Sequence, residues 1–96
     1  MLSEKTKQAI LDCISTRGKH KGQIKAQAPK ANTLGYAAYQ ALMLEFNPYR
    51  ASIFGLIMLS DEQREVYNEA LSWAEKHKHL RFLERNRASL ESLGVW

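Results

Sequence analysis

The side chains best suited to hold a metal or attack a substrate are Cys13, His20, His77 and His79. No two of them stand at a recognised ligand spacing, and His77 and His79, two apart on a stretch read as helix, point to different sides. No metal site is expected. Serines are present, yet none sits in the strained turn that frames a nucleophile. The run Gly18-Lys19-His20-Lys21-Gly22 lacks the spacing and the Gly-Lys-Ser/Thr ending of a phosphate-binding loop. Glu65 and Glu69 lie one turn apart on one helical face and can approach each other, but as neighbours on a charged face they read as a solvated acidic patch. Nothing surrounds Cys13 that would make its thiol reactive. The sequence therefore predicts no enzyme and no cofactor.

What remains is charge. Residues 1–30 hold seven Lys/Arg against Glu4 and Asp12, the middle balances Arg50 against Glu45, and residues 60–96 hold six Lys/Arg against seven Asp/Glu, so the whole excess of +4 comes from the amino end. Lys and Arg on an open segment gain counterion-release energy from phosphates without needing a fixed pose. The leading expectation is a small non-enzymatic binding protein that contacts the DNA or RNA backbone through Arg17, Lys19, Lys21, Lys25 and Lys30, with Lys78, Arg81 and Arg85 as a second strip. No helix-turn-helix spacing is found, so little sequence preference is expected. Tyr36, Tyr39, Tyr49, Trp73 and Trp96 are the aromatic candidates for stacking on bases. The stripe of Tyr36, Tyr39, Met43 and Phe46, at steps of three and four, reads first as core.

The rival reading is an adaptor, or an inhibitor of a larger enzyme, of the kind found among accessory proteins of phages and mobile elements. Its anchors would be apolar helix surface and the tip Val95-Trp96, with the basic segment steering association.

The elements that must position these groups are helices. Ser3 caps a first helix over about 4–16, whose apolar face is Ala9, Ile10, Cys13 and Ile14. A basic loop, long for a connection and taken as mobile, covers 17–31, with room for a short edge strand near 23–26. Asn32-Thr33 supplies a capping side chain for a second helix over 34–46, rich in Ala, Leu and Met. Asn47-Pro48 then stops and restarts the chain. A third helix is expected from Pro48 to about Leu59, apolar on nearly every side. Residues 52–59 alone would also fit a core strand, and the Asn-Pro start and the following Ser60 decide for helix.

The clearest local signal is Ser60-Asp61-Glu62-Gln63, a capping box with two acids in the first turn. The helix it opens carries Val66, Ala70 and Trp73 as one stripe and Tyr67, Leu71 and Ala74 as another. Two courses fit beyond these: a turn near His77-Lys78-His79, or a continuous helix to Leu93 with Gly94 as a stop signal.

A chain of 96 residues, 45% hydrophobic, supports one domain. The expected fold is all-α, a small single-domain bundle of four to five helices with a long basic loop between helices one and two. The apolar runs are too short and too interrupted to span a bilayer, which takes about 20 residues. One cysteine excludes an internal disulfide, no signal pattern opens the sequence, and a cytoplasmic protein is expected. Because the third predicted helix has no polar face, a homodimer is slightly favoured over a monomer.

Overall fold

The computed structural model describes residues 2–15, 24–46 and 59–76, the Phe46 side chain excepted. Three helices carry them: α1 (Glu4–Leu11), α2 (Leu34–Phe46) and α3 (Asp61–Lys76). Among the described residues the fold is all-α, without a strand, and α2 packs against both α1 and α3. Most of the helix predicted over 48–59 and any extension of α3 beyond Lys76 lie outside the described residues. Leu59 is described: it is buried, non-helical, and directly precedes Ser60.

α2 keeps its predicted bounds. Of the Asn32-Thr33 pair it is Thr33 that caps it, the Thr33 Oγ1 accepting from the Tyr36 N–H at 3.3 Å and donating to the Lys30 carbonyl at 2.7 Å. Residues 37–43 are buried without interruption. At 3.6 residues per turn such a run leaves no direction facing water. Ala37, Ala38 and Ala41 present small faces to their neighbours, and Leu42 is fully buried. α1 supplies Ile10, the turn that follows it Cys13, and α3 Val66, Ala70 and Ala74, each wholly shielded from solvent.

α3 opens with the predicted box complete. The Ser60 Oγ accepts from the Gln63 N–H at 3.2 Å, and the Gln63 Oε1 accepts from the Ser60 N–H at 2.9 Å. The same buried side chain turns its other end to α2, where Nε2 donates to the carbonyls of Ala31 (2.9 Å) and Thr33 (2.8 Å). One amide thus starts α3 and fixes the approach to α2.

α1 starts at Ser3, whose Oγ accepts from the Thr6 N–H at 3.4 Å. A local capping box would have Glu or Gln at Thr6's position to return the bond. Glu69 of α3 takes that part instead, accepting from the Ser3 N–H at 2.9 Å, with its second oxygen 3.3 Å from the Ser3 hydroxyl.

The first helix is shorter than predicted. It ends at Leu11 and not near Thr16, because the Cys13 carbonyl, which a longer helix would need for its own ladder, accepts from the Lys25 N–H at 2.9 Å. The last turn tightens, with Cys13 and Ile14 N–H groups donating three residues back to Ile10 and Leu11, and Ile14 then forms a single antiparallel bridge with Ile24. Among the described residues the edge pairing expected near 23–26 amounts to that one bridge.

Two substitutions test this packing. In an ordinary capping box Glu would replace Gln63 at no cost. Here Gln63→Glu removes both donors and sets a carboxylate against two carbonyls, so it should destabilise by about 2 kcal/mol or more, with Gln63→Ala losing a similar amount. An unchanged denaturation midpoint in Gln63→Glu would contradict the arrangement. Gln40 is 8% exposed and its amide makes no hydrogen bond among the described residues. Exchanging it for Met, of similar volume, should raise stability by about 1 kcal/mol, and calorimetry would read this as a higher Tm.

Candidate functional site

Of the cations predicted to meet nucleic acid, Lys25 and Lys30 are described. Arg17, Lys19, Lys21, Lys78, Arg81 and Arg85 lie outside the described residues, as do the predicted anchors Val95 and Trp96.

Both lysines stand on a segment, residues 24–31, whose backbone is tied to the helices at several points. Lys25 is held from two sides: its N–H donates to the Cys13 carbonyl, and its own carbonyl accepts from the Tyr39 hydroxyl at 2.8 Å. The hydroxyl also lies 3.4 Å from the Ala26 carbonyl. Farther along, Pro29 lies so close to α2 that a Cβ on Gly35 would come within 3.2 Å of its ring. The Lys30 and Ala31 carbonyls accept from Thr33 and Gln63 respectively. With the backbone occupied inward, residues 25–28 and Lys30 are left exposed.

Charge is arranged along α1. At its amino end, Lys5 Nζ meets Glu65 Oε2 at 2.8 Å, Lys7 lies 3.6 Å from Glu4, and Glu69 holds Ser3. Lys25 sits beyond the other end, and eight helical residues rise about 12 Å. That exceeds the screening length of about 8 Å at physiological salt. Among the described residues neither Lys25 nor Lys30 has an ion-pair partner. Of the two carboxylates that read as a solvated acidic patch, Glu65 is exposed and meets Lys5 at the surface, while Glu69 is half-buried and completes the cap of α1; they share one face of α3 as their spacing predicts.

Cys13 joins α1 to α2 and offers no nucleophile. Its Sγ lies 3.2 Å from the carbonyls of both Ala9 and Gly35, so its single proton is shared between two acceptors. Burial pushes the thiol well above its ordinary pKa, and the Asp12 charge adds to the shift against a smaller opposing pull from Lys25. Thr6, fully buried and accepting from the Ser3 hydroxyl at 3.0 Å, belongs to the same core face. Its spacing to Ala9, Ile10 and Cys13 carries the signal, but its hydroxyl hides it from a reading that looks for apolar residues. Of the aromatic stripe, Tyr39 and Met43 are buried and Tyr36 is half-buried against the core.

Among the described residues no group of three or more His, Cys, Asp or Glu is placed to hold a metal ion. No helix among them is long and apolar enough to cross a membrane. No family model, curated protein or solved structure matches this chain.

The Lys5–Glu65 pair gives the site's acidic side a pH signature. The Lys5 ammonium, hydrogen-bonded to the carboxylate, holds Glu65 below the ordinary carboxyl range, and Glu65 in turn holds Lys5 above its own. A carboxyl whose folded pKa is lowered contributes fully above its unfolded value, and the contribution disappears as pH falls through the folded one. Lys5's share disappears instead as pH rises through its raised value. Glu65→Gln should therefore melt slightly below wild type at neutral pH, and the gap should close in acid. A gap that persists below the carboxyl range, followed by thermal melts across pH, would show that the pair is not its source.

Proposed function

We propose that this chain is a non-enzymatic binding protein whose basic amino-terminal segment contacts the phosphate backbone of DNA or RNA. The observation that carries the reading is a pair of exposed lysines, Lys25 and Lys30, without ion-pair partners among the described residues, on a backbone pinned to α1, α2 and α3. Pinning lowers the entropy lost when a phosphate is bound, while the helices keep the carboxylates of Glu65 and Glu69 at the far end of α1. Arg17, Lys19 and Lys21 precede the pinned segment and extend the same positive run, and Lys78, Arg81 and Arg85 form a second strip beyond α3. Contacts of this kind position a protein on the backbone and read little sequence.

In the same reading, residues 48–58 add a further helix to a bundle of four to five, and their apolar circumference favours a homodimer. The setting is cytoplasmic, with Cys13 a reduced core thiol.

Fluorescence anisotropy with labelled oligonucleotides, from low salt to about 200 mM, tests the proposal. Affinity should fall linearly on a log–log salt plot, and replacing Lys25 or Lys30 with Ala should weaken binding to all sequences alike while lowering the slope by about 1 each. Binding that is undetectable at low salt, or indifferent to salt, would sink the reading. A single stoichiometric protein captured from lysate and resistant to nuclease would move the assignment to the adaptor class.

A further inference from the structure

The two tyrosines near the start of α2 share a side of the helix, three residues apart, and are used differently. Tyr39 is buried and its hydroxyl is occupied with the Lys25 and Ala26 carbonyls. Tyr36 is half-buried, and its hydroxyl makes no hydrogen bond among the described residues. Its backbone places it beside the basic segment: the Tyr36 N–H donates to Thr33 at 3.3 Å, and the Thr33 hydroxyl donates to the Lys30 carbonyl at 2.7 Å. Lys25 is tied to the same side of α2 through Tyr39. A half-buried tyrosine therefore stands on the side of the helix to which the backbones of two lysines, without ion-pair partners among the described residues, are bound.

Resting on the nucleic-acid reading above, we propose that Tyr36 is a stacking surface and that the ligand is single-stranded. Lysines alone treat a duplex and a single strand as lines of phosphate. A ring distinguishes them, because base faces are open in a single strand and covered by neighbours in a duplex. The hydroxyl is dispensable in this role, which agrees with its having no hydrogen-bond partner among the described residues. Stacking tolerates any base, so preference for strandedness comes without preference for sequence.

The experiment compares a labelled oligothymidylate with a duplex of equal length, at one salt concentration, on wild type, Tyr36→Phe and Tyr36→Leu. Wild type and Tyr36→Phe should bind the single strand more tightly. Tyr36→Leu, which keeps an apolar body against the core, should lose roughly ten-fold on the single strand and less than two-fold on the duplex. Equal losses on both ligands, or a wild-type preference for duplex, would overturn the stacking role while leaving backbone binding intact; no binding to either ligand would remove the parent reading as well. Should Tyr36→Leu fail to fold, photo-cross-linking a 5-bromouracil oligonucleotide to the wild-type chain decides the matter. An adduct mapped to Tyr36 supports the assignment, and adducts only elsewhere reject it.

Discussion

A helix buried around its whole circumference cannot be stable until other parts of the chain surround it. α2 is such a helix over residues 37–43, and that constraint orders the described structure. Its alanines contribute little apolar area each and little side-chain entropy cost, so its stability must come from close neighbours more than from large side chains of its own. α1 and α3 meet that need with Ile10, Val66 and Trp73, and both must be held in register against a helix that offers them small, smooth faces. Polar groups provide the register.

Those polar groups lie on α3 between Gln63 and Glu69. Gln63 closes the capping box of its own helix and holds the carbonyls that lead into α2, while Glu69, less than two turns later, completes the cap of α1. Three helix starts are thereby linked through two side chains. Helix amino termini carry unpaired N–H groups wherever they occur. Here they are satisfied partly by neighbouring helices, so capping and tertiary packing are the same interactions.

This coupling explains which features the sequence discloses. The bounds of α2 are legible because local propensity and the flanking Thr33 and Asn47 agree, and the start of α3 because Ser60 and Gln63 lie three residues apart. The end of α1 is not legible, since the group that interrupts it, the Lys25 N–H, is twelve residues beyond the carbonyl it takes. No periodicity within α1 registers that competition. Glu69 as a cap for a residue 66 positions away is equally invisible, and Gln63's outward hydrogen bonds can be recognised only once α2 lies beside it. For the candidate site, composition marks Lys25 and Lys30 as basic and surface-seeking. It does not reveal that their backbone is fastened down, because the fastening groups, Tyr39 and Cys13, read as ordinary core residues.

The same polar economy accounts for where positive charge is left over. Lys5 is matched by Glu65 and Lys7 lies beside Glu4, so the cations at the start of α1 are largely neutralised where they stand. Glu65 and Glu69, the carboxylates most able to reach back toward the amino-terminal segment, are held at that same end by Lys5 and Ser3. Glu65 stays largely exposed while it pairs with Lys5, and Glu69 is half-buried against the start of α1. Because α1 sets about 12 Å between them and the Cys13–Lys25 junction, screening in salt water removes most of what attraction remains. Among the described residues Lys25 and Lys30 thus have no ion-pair partner, and the carboxylate left at their end of α1 is Asp12, which acts on the Cys13 thiol in the sense opposite to Lys25.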